Sequence, residues 1–136
     1  ALLARFPAVN TPEDLQQFPW IAISSFYQRH VELFHDASSA TARIAITPRL
    51  STDSLYVAKN AALAHVGVAI VSSWTVEAEL ASGELIELLP QWQAAPLPVH
   101  LVYPWARYYP TRLRKFLDLM REVMPQIAGM QQPKKG

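Results

Sequence analysis

Arg49–Ser73 reads RLSTDSLYVAKNAALAHVGVAIVSS, and the fold turns on how this stretch is divided. It splits into a strand end, the polar turn Ser51-Thr52-Asp53-Ser54, a helix, a break at Gly67 and the apolar run Val68-Ala69-Ile70-Val71. The helix is expected from about Asp53 to His65. Leu55, Ala58, Ala62, Leu63 and Val66 fall on one face, with Tyr56, Lys59 and Asn60 on the other, the period of an amphipathic helix. A helix held this closely between strands is a crossover unit of an α/β layer, and Val68–Val71 is expected to be a parallel strand buried on both faces. In open α/β sheets, ligands collect at the carboxyl ends of strands, where helix N-termini present unpaired N–H groups. The polar turn lies at such a junction, so it is the candidate small-molecule site.

Outward from this unit, the chain is punctuated by proline. Leu2–Phe6 is a short element closed by Pro7. Thr11-Pro12-Glu13-Asp14-Leu15 has the form of a helix start, with Thr11 as N-cap, Pro12 at the first helical position and two carboxylates on the positive end of the dipole. Pro19 keeps that helix short. Trp20–Ile23 is a buried strand, and Val31–His35 with Thr41–Thr47 form a hairpin around Asp36-Ala37-Ser38-Ser39. Pro48 closes the second hairpin strand or places it at an edge. Beyond the central unit, Trp74–Leu80 is a short helix ending before Ser82-Gly83, and Leu85–Leu89 a strand closed by Pro90. Gln91–Pro98 is a linker and Val99–Tyr103 an apolar strand. Pro110 opens a long helix whose buried stripe is Leu113, Phe116, Leu117, Met120, Val123 and Met124. Pro125 ends it, and residues 125–136 are expected to be a disordered tail.

Composition removes several function classes. The 136 residues suffice for about one domain with a substantial core. A net charge of +1 leaves no basic footprint for nucleic acid over the domain. Arg112, Arg114 and Lys115 are diluted by acidic neighbours and read as a solvated helix face. No run approaches the roughly 20 apolar residues of a membrane span. With no cysteine, disulfide and thiolate chemistry are absent. Four glycines against eleven prolines argue against a phosphate-cradling loop. His30, His35, His65 and His100 lack partners at metal-ligand spacing, so neither a metal nor a cofactor is expected. His35-Asp36 with scattered serines imitates a hydrolase triad but has no Gly-x-Ser-x-Gly elbow. Glu77, Glu79, Glu84 and Glu87 read as solvated surface. No catalytic constellation survives, and an enzyme is the weakest reading.

Two segments carry a resemblance. AHVGVAIVSSWTVEAELASGELIELLPQW (64–92) and LPVHLVYPWARYYPTRLRKFLDLM (97–120) resemble the C-terminal part of the effector-binding domain of LysR-type transcriptional regulators. The family's pattern is a helix running into a Gly-x-Gly-Ile-Ala strand, a helix closing on glycine before L-x-x-L-L-P, then Y-P-x-x-R and a proline-opened helix with R-x-F-x-D-x-L. Gly67, Val68, Ala69, Gly83, Leu88, Leu89, Pro90, Tyr103, Pro104, Arg107, Pro110, Arg114, Phe116 and Asp118 stand in register with it. TPEDL (11–15) is similar to the family's lead into its second subdomain, and the likeness spans about residues 8–124. Two positions depart. His65 replaces the first glycine, so the turn into the strand must accept a side chain. Ser72 replaces the proline that commonly ends the strand, adding a hydroxyl near the ligand space.

The resemblance implies an α/β fold: a three-layer, periplasmic-binding-protein-like subdomain of type 2, a mixed sheet flanked by helices in an incomplete two-lobed domain. Residues 1–97 would be the second subdomain, and 98–124 the returning strand and helix that pack on the first. A small-molecule effector would bind between the lobes at Ser51, Thr52, Asp53, Ser54 and Ser72, with Val66 and Gly67 bordering the site. Ser51, Thr52 and Asp53 can equally be helix caps; Asp53 beside an anion is unfavourable, so it faces outward or the effector is cationic. Binding would shift a hinge equilibrium and so alter DNA binding by an N-terminal winged helix-turn-helix lying outside this chain. The implied protein is a cytoplasmic homodimer or homotetramer with no membrane contact. A solute-binding protein of a transport system shares the architecture and is the alternative.

Overall fold

The computed structural model describes all residues except 1, 26, 28, 98, 128 and 131–136. The chain divides into two compact units, Ala1–Pro96 and Leu97–Gly136.

In the first unit the strands are β1 (Trp20–Ile23), β2 (His30–His35), β3 (Thr41–Ala45), β4 (Pro48–Thr52), β5 (Val68–Ala69) and β6 (Trp92–Ala94), and the helices α1 (Leu55–Leu63) and α2 (Ser73–Ser82). One sheet is parallel in the order β4-β1-β5, the other antiparallel in the order β3-β2-β6. The α/β class holds, with the strands shared between two three-stranded sheets. β1 is central and all four of its residues are buried, because both faces of the parallel sheet are covered. Trp20 and Ala22 face the antiparallel sheet, packing with Val31, Leu33, Ile44 and Ile46. Ile21 and Ile23 face α1, packing with Ala58 and the half-buried Leu55, Ala61 and Ala62. Burying Ile21, 1% exposed, contributes about 2 kcal/mol. Alternation along β2 and β3 leaves Glu32 and Arg43 outside while Val31 and Ile44 enter the core.

Several boundaries differ from the sequence reading. The segment after Thr11 is a 3-10 helix, Pro12–Gln17, whose start is held by Asp14: its carboxylate accepts from the amides of Asn10 and Thr11, each at 2.9 Å. These two donors hold Asp14 below the usual carboxylate range. Pro48 opens β4 at the sheet edge, where its missing N–H costs nothing. β5 pairs over two half-buried residues instead of four buried ones, since it too is an edge strand. Leu85–Leu89 forms no strand; Leu88 and Leu89 turn into the core, and the ladder is taken by β6 from the expected linker. His35 and Asp36 serve that ladder. The His35 ring lies 5.1 Å from the Trp92 ring, edge to face, and Asp36 Oδ2 accepts from the Gln93 side-chain Nε2 at 3.1 Å.

In the second unit, α3 (Thr111–Val123) opens after Pro110 and runs into a 3-10 turn at Met124–Gln126. Among its described residues Val99–Tyr103 has no strand partner, and a β-strand needs a neighbour for its backbone groups. Of the stripe expected on α3, only Leu117 is buried, while Phe116 and Val123 are exposed. One helix and irregular chain offer too little surface to cover the rest. Of the expected tail, residues 128 and 131–136 lie outside the described residues. No helix among the described residues is long and apolar enough to cross a membrane.

Candidate functional site

Because β1, β4 and β5 are parallel, their carboxyl ends emerge along one edge. Ser24-Ser25 follows β1, Asp53-Ser54 follows β4, and Ser72-Ser73 follows β5. α1 and α2 both start there, so two helix N-termini flank the end of the central strand. The Ser24 amide donates to the Thr52 carbonyl at 2.8 Å, tying the ends of β1 and β4 together.

The expected hydroxyls do different work. Ser54 is the N-cap of α1, its Oγ accepting from the Val57 amide at 3.4 Å. The cap is therefore Ser54 rather than Asp53, and the helix begins at Leu55, two residues later than expected. Thr52 Oγ1 accepts from the Ser54 amide at 3.1 Å, which leaves its own proton to donate. Ser51 is exposed on β4, opposite Ala22. Asp53 is exposed in the turn and is the one charged group of this edge's strand ends. Ser72 occupies the N-cap position of α2 but makes no cap bond with its side chain, so its hydroxyl is uncommitted and half-buried. Only its carbonyl is engaged, by the Thr75 amide at 2.9 Å. Within the same turn of α2, Thr75 Oγ1 is buried with no partner.

Val66 and Gly67 belong elsewhere. They precede β5, and Gly67 adjoins Pro19 ahead of β1, so both lie at the opposite, amino edge of the sheet. Ser72 stands five positions after Gly67, about 16 Å of extended chain. They do not border the hydroxyl edge. Gly67 is required by packing: a Cβ there would lie 2.3 Å from the Pro19 carbonyl oxygen. The break in the chain falls at His65, whose φ of 60° places it in the left-handed region. His65 donates to the Ala62 carbonyl and Val66 to the Ala61 carbonyl, the paired bonds that end a helix by reversal. Glycine is the usual residue at such a position, and the expectation that this turn must accept a side chain is met.

An ion pair joins the two helices. Lys59 Nζ on α1 lies 2.7 Å from Glu79 Oε1 on α2, with the two side chains 17% and 16% exposed. Lys59 also lies 5.6 Å from the centre of the Tyr56 ring. The hydrogen bond from Lys59 holds Glu79 below the usual carboxylate range. Glu79 is therefore a structural partner and not the solvated group that its sequence neighbourhood suggests.

Ser24, Ser25, Tyr27 and Thr75 also stand at this edge, beyond the residues expected from sequence. A signal for the serines was present: Ala22-Ile23-Ser24-Ser25 and Ile70-Val71-Ser72-Ser73 each end an apolar run in a serine pair. Tyr27 follows directly, half-buried against both faces of the parallel sheet, and burial pushes its phenol up, so it stays protonated. The arrangement offers the proton of Thr52, the hydroxyl of Ser72 and the start of α2 at one edge of the sheet. That chemistry suits hydrogen bonding to a polar small molecule. Among the described residues no group of three His, Cys, Asp or Glu could hold a metal ion.

A family model described as the LysR substrate binding domain matches residues 1–125. The chain is 31% identical over 120 residues to the HTH-type transcriptional regulator PtxR of Pseudomonas aeruginosa, covering 88% of this chain and 38% of that protein. It is 30% identical over 116 residues to the iron-regulated virulence regulatory protein IrgB of Vibrio cholerae, covering 84% and 39%. It thus spans about two fifths of the length of these curated relatives. Among solved structures, the regulatory domain of AphB from Vibrio vulnificus superposes with a TM-score of 0.70 at 20% identity, over 89% of this chain and 60% of that one. At that identity the likeness is one of fold.

Proposed function

The chain belongs to the LysR substrate-binding-domain family, and from that premise we propose that its hydroxyl edge is one wall of an effector pocket in a transcriptional regulator. The observation that carries this reading is the uncommitted, half-buried hydroxyl of Ser72 at the start of α2, beside the strand ends that bring Ser24 and Thr52 together. Thr52 and Ser72 donate to the effector, Ser24 and Ser25 line the floor, and Ser51 and Asp53 stand at the rim. Ser54 holds α1 in place. Residues 98–124 pack on a first lobe that supplies the second wall, giving the exposed Phe116 and Val99 an apolar partner. An effector that prefers one separation of the lobes shifts the population of that state. The shift passes to a winged helix-turn-helix and thence to DNA, in a cytoplasmic homodimer or homotetramer. The protein is a sensor and not an enzyme; the relatives' names speak for regulation, against both catalysis and solute transport.

A thermal-shift screen of polar metabolites tests this on two samples, the 136-residue chain and the complete regulator. Effectors are expected to stabilise the complete regulator and leave the shorter chain unmoved. Tight one-to-one binding to the 136-residue chain alone that is lost in Thr52→Ala and Ser72→Ala would overturn the two-walled reading.

A further inference from the structure

We propose that the concavity at the amino edge of the parallel sheet binds a small multivalent anion carrying carboxylate or phosphate groups. This site is separate from the effector wall and does not rest on the effector reading. The concavity has a volume of about 640 Å³ and gathers side chains from three segments. Arg5 comes from the N-terminal 3-10 helix, Gln16 and Gln17 from the second, and Thr47 and Arg49 from the chain entering β4. No carboxylate lines it. Among the described residues the ion pairs are Lys59–Glu79 and Arg121–Asp118, so both arginines of the concavity lack a counter-ion. The nearby carboxylate of Asp14 is occupied by the amides of Asn10 and Thr11.

Guanidinium groups present a planar fork that matches carboxylate and phosphate oxygens in pairs. Two such forks from separate segments, with two amides and a hydroxyl lining the same hollow, favour a ligand with more than one anionic group. The Phe6 and Phe18 rings, 4.5 Å apart, supply an apolar wall, and Phe18 is 3% exposed. Such a wall keeps water from surrounding the bound anion on one side and so strengthens its attraction to the arginines. Single exposed arginines are ordinary. Two converging on one hollow with no carboxylate is what calls for a ligand.

Titration of the 15N-labelled 136-residue chain with citrate and with inorganic phosphate tests the site by NMR. Saturable shifts are expected at the Arg5 and Arg49 side-chain signals and the Gln16 and Gln17 amides, with a Kd of about 1 mM or tighter. Tighter binding of citrate identifies a polycarboxylate ligand; tighter binding of phosphate identifies a phosphate compound. R5Q and R49Q should each weaken binding about ten-fold, and R49K should retain part of it. Unmoved Ile21 and Ile23 amides in each variant certify that β1 is intact; should R49Q fail that check, R5Q decides. Non-saturating shifts overturn the proposal. So does an equal response at Arg112 and Arg114, or full affinity in the folded glutamine variants.

Discussion

Where β5 meets β1, the amino edge of the parallel sheet is closed by backbone, whereas at its carboxyl edge the sheet ends in hydroxyls. Gly67 lies against the Pro19 carbonyl with no room for a methyl group, and the Val68 amide donates to that same carbonyl at 2.9 Å. Past the four residues of β1, the Ser24 amide bonds to the Thr52 carbonyl, and at that edge Thr52 keeps a proton to donate and Ser72 an uncommitted hydroxyl. The β1–β5 junction is thus close-packed at the amino end, while the carboxyl end carries the hydroxyls proposed above as the effector wall. Substitutions at that junction should change stability, and substitutions among those hydroxyls should change response.

The largest effect is expected from Gly67→Ala. A Cβ set 2.3 Å from a carbonyl oxygen must drive β5 away from β1, at a cost of about 3 kcal/mol. Urea unfolding of this chain measures it; a change below about 1 kcal/mol would mean that the close approach relaxes freely. Next, His65→Gly should stabilise the chain by about 1 kcal/mol, because the side chain at φ 60° is strained and glycine is not. The same unfolding curves decide it, and no gain would assign the His65 side chain a compensating contact. Ser54→Ala sharpens the contrast at the other edge. It should cost close to 1 kcal/mol of stability through the lost cap of α1 and leave effector affinity, referred to folded protein, unchanged.

The smallest effect concerns acid. Asp14 and Glu79 both titrate below the usual carboxylate range in the folded chain. Their contribution is complete above the unfolded carboxylate pKa and is lost as pH falls through the lower folded values. Stability should therefore decline on acidification. D14N and E79Q should each flatten that decline slightly, as unfolding midpoints across acid pH would reveal.

β1, the β2–β3 hairpin and both central helices are legible in the sequence because each is an apolar, alternating or helix-forming segment bounded by proline, glycine or a polar turn. β6 was not legible: Trp92-Gln93-Ala94 is a strand only because β2 offers it a ladder, an effect of tertiary context. Leu85–Leu89 failed for the complementary reason. It has strand composition, yet the core draws Leu88 and Leu89 away from any ladder. In the candidate site, the turn after β4 and Ser72 after β5 stand out in the sequence because both sit between a strand and a helix. Ser24 carries no such mark, since no helix follows β1 among the described residues. Val66 and Gly67 were placed at the wrong edge, since a linear motif does not say which end of a strand it occupies. The Lys59–Glu79 pair, 20 residues apart on two helices, leaves no local trace.

The hydroxyl edge is tested most directly by the effector dose–response of the complete regulator carrying Ser72→Ala. Its hydroxyl caps nothing, so stability should hold while the response curve moves to higher effector by about five-fold, the loss of one hydrogen bond of about 1 kcal/mol. A curve that coincides with the unaltered protein's would contradict the assignment of this edge as the effector wall.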